Sequence, residues 1–236
     1  MKPLSVIRPA LFLLMISASC TFPLKAQQTK NMSVSNFSEV SVSAGIDLII
    51  TQGPSENAKI VARDEIIDQV LIRQTGNGLR IGWKENENYG NKYKNKTAKV
   101  YLNYKVLNSI SASSGSSLTT ENVLKTTKLD VRASSGASID AKISCSDLDL
   151  QSSSGASVDL IGKAANMDIS SSSGASINAV DLLADYAKVR ASSGADIKVN
   201  VAKGLEASTG SGGNIRYKGN ASLRNVSSRN SIRHID

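Results

Sequence analysis

A short phrase returns along this chain at nearly constant spacing. It reads Ala112-Ser113-Ser114-Gly115, Ala133-Ser134-Ser135-Gly136, Ser152-Ser153-Ser154-Gly155, Ser171-Ser172-Ser173-Gly174 and Ala191-Ser192-Ser193-Gly194, with a degenerate copy at Thr209-Gly210-Ser211-Gly212. The glycine-to-glycine intervals are 21, 19, 19, 20 and 18. A period near twenty marks a repeat architecture and limits the fold more than any other feature.

The flanks of each glycine say what kind of repeat it is. Five residues before it stand Ile110, Val131, Leu150, Ile169, Val189 and Ala207, and three after it stand Leu118, Ile139, Val158, Ile177, Ile197 and Ile215. Seven before it, from the second copy on, stand Leu129, Leu148, Met167, Ala187 and Leu205. Polar residues lie between, among them Asp130, Asp149, Asp168, Lys188 and Glu206. Apolar and polar residues alternate with period two, which is strand patterning. Each copy therefore reads as strand, Ser-Ser-Gly bend, strand and variable turn.

Such a unit cannot bury its own inner face and must stack on its neighbours. The predicted fold is all-β, a single-stranded parallel β-helix (β-solenoid) with ~20-residue coils spaced ~4.8 Å apart and an irregular N-terminal coil region. Gly115, Gly136, Gly155, Gly174, Gly194 and Gly212 would stand in file as structural repeat positions. Ala137, Ala156, Ala175 and Ala195 would form a tight inner corner beside them. The Ser114, Ser135, Ser154, Ser173, Ser193 and Ser211 column is expected to point inward as a hydrogen-bonded ladder.

The same phase appears around Gly45, with Val40, Val42, Leu48 and Ile50 at matching offsets, which predicts one more coil. Between it and the repeats the sequence predicts a strand at Lys59–Arg63, a short helix at Asp64–Arg73 and a Gly76-Asn77-Gly78 turn. A strand at Leu79–Trp83, a polar loop at Lys84–Lys96 and a strand at Ala98–Tyr104 follow. The expected organisation is a signal peptide at 1–26, an N-terminal coil and irregular cap at 27–105, the glycine-marked helix at 106–218 and a C-terminal cap at 219–236.

The leader reading rests on Lys2 and Arg8 followed by the apolar run Ala10–Ile16 and small residues. Cleavage after Ala26 competes with a loose lipobox, Ser17-Ala18-Ser19-Cys20, that would make Cys20 a lipidated N-terminus. Either way the chain is expected to be exported to the periplasm, the outer-membrane surface or the medium. No later segment is long and apolar enough for a spanning helix, which needs roughly 20 residues.

Composition removes several chemistries. The chain has 236 residues, one histidine (His234) and two cysteines, so His-based triads and Cys/His zinc sites are not expected. Without the leader Cys145 is the sole thiol, and it reads as a small buried hydrophobe. The formal charge of +8 falls to +5 without the leader and is spread along the chain, which disfavours nucleic acid. No cofactor or metal is expected, and the Gly-Gly-x-Gly-x-Asp calcium repeat is absent.

At these residues the chain resembles the exported head GIN domain, putative auto-transporter adhesin family of Bacteroidetes. The resemblance rests on Phe37-Ser38-Glu39-Val40, Ala44-Gly45-Ile46-Asp47-Leu48, Gln52-Gly53, Gly78-Leu79-Arg80-Ile81 and the glycine-marked repeats, over roughly 35–218. It implies a β-solenoid at the cell envelope with no known catalytic residues. No stretch of the sequence is patterned as the membrane barrel of an autotransporter.

Two features could carry function. Trp83, Tyr89 and Tyr93 cluster at the polar loop in a chain with 4% aromatics, the residue type that stacks on sugar rings. The expectation is a non-enzymatic module contacting a glycan or protein ligand there and along flat polar ladders, where many weak contacts add. A homo-oligomer is compatible with this expectation. The alternative is a carbohydrate-active lyase or hydrolase using the stacked Asp130, Asp149 and Asp168, since like charges a coil apart raise one another's pKa.

Overall fold

The computed structural model describes residues 27–84, 97–227 and 231–235. The expected leader cleavage, Cys20, Tyr89 and Tyr93 lie outside the described residues. The architecture is a β-solenoid of about six turns, with parallel bridges about 19 residues apart and 3% helix.

At its N-terminal end the chain runs through β1 (Gln27–Met32), β2 (Glu39–Ser43), β3 (Ile46–Gln52), β4 (Asn57–Arg63), α1 (Asp64–Ile67), β5 (Val70–Thr75), β6 (Gly78–Trp83) and β7 (Ala98–Tyr104). The coil predicted around Gly45 is β2 and β3. Strands β6 and β7 form a further coil, parallel to β2 and β3 on one side. The other side of β2 and β3 is taken by β8 (Ser109–Ser113) and β9 (Ser117–Thr120). The Gly45 coil is thus sandwiched between two coils that both follow it in sequence. Antiparallel strands then finish this end: β5 on β6, and β4 on β7 with β1 outermost. The predicted helix over Asp64–Arg73 shortens to one turn, because Val70–Thr75 finds a strand partner in β6.

After β10 (Leu124–Lys125) and β11 (Lys128–Ala133) come four long strands: β12 (Ser138–Ser152), β13 (Ser157–Ser171), β14 (Ser176–Ala191) and β15 (Asp196–Thr209). Each begins after one glycine corner and runs to the next. The variable turn expected between copies is therefore a rounded bend inside a strand, and the β12–β13 ladder continues on both sides of Ser146. The unequal intervals have a local cause. The step from Gly174 to Gly194 is one residue longer, and the β13–β14 register shifts between Asp159 and Ile161 to absorb it.

The tail continues the ladder. Strand β16 (Asn214–Lys218) lies on the first half of β15, β17 (Ser222–Ser227) on its second half, and β18 (Ile232–His234) on β16.

The aliphatic columns fill the interior as their spacing demands. Ile110, Val131, Leu150, Ile169 and Val189 are fully buried, as are Leu118, Ile139, Val158, Ile177, Ile197 and Ile215. Each such side chain contributes about 1.5–3 kcal/mol. The alanine column beside the glycines is buried as well.

At each corner two successive residues have positive φ, for example Ser135 (54°) and Gly136 (70°). The Ala137 N–H donates to Ser134 O at 3.2 Å, so the corner has the pattern of a type I′ turn. Corners are tied along the axis by glycine N–H groups. Gly136 donates to Ser154 O, Gly155 to Ser173 O and Gly174 to Ser193 O, which puts the glycines in file.

The serine column departs from expectation. Ser114, Ser135, Ser154, Ser173, Ser193 and Ser211 are exposed, because a left-handed residue at the tip of the turn turns its side chain outward. Buried hydroxyls sit instead three residues before the glycine, at Ser152 and Ser171, in a column shared with Ala112, Ala133, Ala191 and Thr209, and one residue after it at Ser116.

Candidate functional site: the outer ladders and the Trp83 corner

Trp83 ends β6 where the neighbouring coil has its Ala44-Gly45 corner. Its Nε1–H donates to Ala44 O at 2.8 Å, and the ring is half-buried against the core. The indole edge is therefore committed to the backbone, while one side of the ring borders a cleft of about 630 Å³. Ser43, Ala44, Leu71, Arg73, Arg80, Gly82 and Lys84 form the remainder of that cleft.

The aspartate column is placed in register as predicted: Asp130 opposes Asp149, and Asp149 opposes Asp168. Cations brace Asp130 and Asp168, while Asp149 between them accepts from Gln151 Nε2 at 3.4 Å. Arg132 donates to both oxygens of Asp130 at 2.8 and 2.9 Å, and its third nitrogen reaches Gln151 at 3.2 Å. That hydrogen bonding and charge hold the Arg132 guanidinium above its ordinary pKa. Arg190 donates to Asp168 at 2.7 Å. The column then continues as Lys188, Glu206 and Arg224. Among the described residues no group of three or more His, Cys, Asp or Glu is placed to hold a metal ion.

Beside this column a polar trench runs along the solenoid. One wall is Ser111, Arg132, Gln151, Ser170, Arg190 and Ser208; the other is Ser134, Ser153, Ser172, Ser192 and Gly210. Six coils contribute, so the trench is ~24 Å long at ~4.8 Å per coil. Its walls are repeated polar groups with no titratable base beyond the paired arginines.

The sequence reading missed Arg73, Arg80 and Lys84 at the Trp83 cleft. A signal was present. A two-residue turn at Gly76-Asn77 pairs Thr75 with Gly78, and the same register sets Arg73 opposite Arg80.

The family profile described as putative auto-transporter adhesin, head GIN domain, matches residues 36–221. The chain belongs to this family. The matched span of the head GIN chain starts just before β2 and ends just before β17, so it takes in every glycine corner. Among solved structures, a putative adhesin from Bacteroides fragilis NCTC 9343 is similar at 22% identity and a TM-score of 0.77, covering 90% of this chain and 99% of that one. A putative adhesin from Parabacteroides merdae ATCC 43184 gives 19% and 0.70, covering 89% and 96%. A protein from Parabacteroides distasonis ATCC 8503 described as a putative lipid binding protein gives 16% and 0.66, covering 89% and 97%. These likenesses establish the fold. No curated protein matches the sequence. Among the described residues no helix is long and apolar enough to cross a membrane.

Proposed function

We propose that this head GIN chain is an exported, non-enzymatic binding module that holds an extended glycan along its outer trench. One observation carries the reading: the trench offers the same kind of polar group in six successive coils. A polymer with a repeating hydroxyl pattern can make an equivalent contact in each coil, and linked weak contacts add through effective concentration. The family description as an adhesin supports binding as the activity. The arginine bracing of Asp130 and Asp168 favours a structural ladder over a catalytic pair.

A glycan array together with a polysaccharide-degradation screen tests this. The mature protein should retain glycans without releasing reducing ends, and bulky substitutions at Ser153 and Ser172 should weaken retention. Release of reducing ends that disappears in Asp149→Ala would overturn the non-enzymatic reading. Mass measurement of the mature N-terminus tests export: Gln27 at the terminus corresponds to ordinary cleavage, and an acylated Cys20 to anchoring.

A further inference from the structure

Arg73 and Arg80 stand directly opposite each other across the antiparallel β5–β6 pair. Directly opposed residues have Cβ atoms ~4.5–5.5 Å apart, and like charges in that relation destabilise the strand pair. Both arginines are exposed, and among the described residues neither has an ion-pair partner. Lys84, one residue beyond β6, adds a third cation to the same cleft, and no acid among the described residues lines it. Asp68, whose carboxyl is lowered in pKa chiefly by Lys30 and also by the charge of Lys84, is already bridged by Lys30 at 2.6 Å. Three cations thus share the lining of one concave space beside a half-buried indole, and among the described residues no acid lines it with them.

An anion in the cleft would offset those charges. We propose that the cleft binds the anionic group of an acidic glycan, a uronate carboxylate or a sulfate. Arg73 and Arg80 donate to its oxygens in the planar geometry that guanidinium groups favour. Lys84 closes the third side. The site lies near the finished end of the solenoid, apart from the trench, and its assignment rests on the glycan reading above. A bilayer is the poorer occupant. Val106, Val123, Ile161, Leu183, Tyr186 and Leu223 are the exposed large apolar residues described, and none of them lines this cleft.

The test uses the mature chain with heparin and polygalacturonate oligosaccharides as acidic probes, neutral dextran as control, and vesicles containing phosphatidylglycerol. The wild type should bind the acidic probes with an affinity that falls as salt rises. The Arg73→Gln/Arg80→Gln variant should bind them about 10-fold or more weakly, and a Lys163→Gln variant, exposed and outside both cleft and trench, should keep that binding. Added sulfate should raise the wild-type Tm more than that of the double variant. Unchanged acidic binding in the double variant, or equal sulfate shifts, overturns the cleft. So does vesicle binding that exceeds glycan binding and is lost in the same variant. Neutral glycans held through the trench, with the cleft variants silent, overturn the cleft and leave the broader reading standing. Absence of any glycan binding overturns both.

Discussion

The Trp83 Nε1–H occupies the hydrogen-bonding place of a glycine N–H, donating to Ala44 O at 2.8 Å. At the later corners the equivalent carbonyl accepts from the glycine of the preceding coil, as Ser114 O does from Gly45. The coil of β6 and β7 has no Ser-Ser-Gly corner, and a side chain completes the file in its stead. Trp83→Phe keeps most of the ring and removes the donor. The expected loss is about 1 kcal/mol, read from the denaturant midpoint. An unchanged midpoint would mean that water satisfies Ala44 equally well.

The corners separate conformational strain from crowding. A Cβ at Gly155 would meet nothing within 4 Å, yet the residue has φ of +70°. Gly155→Ala should therefore cost about 1–2 kcal/mol from the backbone alone. At Gly162, with φ of +128°, the same Cβ would fall on the Ile143 carbonyl. Gly162→Ala should cost distinctly more, since strain and a backbone clash combine. Ser154→Asn should stabilise, because Asn enters the left-handed region more readily than Ser. Thermal melts of the three variants give the ranking.

Three hydroxyls are buried without partners among the described residues, those of Tyr104, Ser152 and Thr209. Tyr104 is fully buried, and burial pushes its phenol pKa upward. Tyr104→Phe removes the orphaned group and leaves the ring, so stability should rise by about 1 kcal/mol. Ser152→Ala should act in the same direction, because Ala112, Ala133 and Ala191 already fit that column. A drop in Tm for either variant would reveal a water or partner holding the hydroxyl.

Burial pushes the Cys145 thiol up to about 11 from an ordinary value of 9.0, and the charge of Asp147 adds to it. The folded protein favours the neutral thiol. That stabilising contribution is complete below pH 9.0 and is lost as pH rises through about 11. At pH 8 the thiolate fraction should be about 100-fold below that of an unperturbed cysteine. Iodoacetamide labelling followed by mass spectrometry should be correspondingly slow in the native state and fast after unfolding. Rapid native labelling would contradict the burial.

The solenoid was legible in the chain because coil-to-coil stacking depends on spacing, and spacing is explicit in the glycine phrase. The aliphatic columns followed from the same phase. The serine ladder was harder to read: alternation predicts which face a strand residue takes, but the turn reverses handedness at Ser135-Gly136 and carries the hydroxyl outward. The helix over Asp64–Arg73 failed for a different reason, since pairing of Val70–Thr75 with β6 overrode local propensity. The aspartate column was correctly stacked, but its arginine braces come from flanking positions whose reach sequence spacing alone did not reveal. Arg73 and Arg80 face each other only once Val70–Thr75 is a strand, and the helical reading of Asp64–Arg73 hides that register.

The placement of the Gly45 coil dictates an order of assembly. Its parallel neighbours, β6 with β7 and β8 with β9, are made later, so Val40 cannot meet Leu79 or Ile110 until those residues have left the ribosome. Stepwise winding from the first residue onward is thereby forbidden. Distant closures seat that coil, 39 residues from Val40 to Leu79 and 70 from Val40 to Ile110, after which each later coil can add to a template already in place.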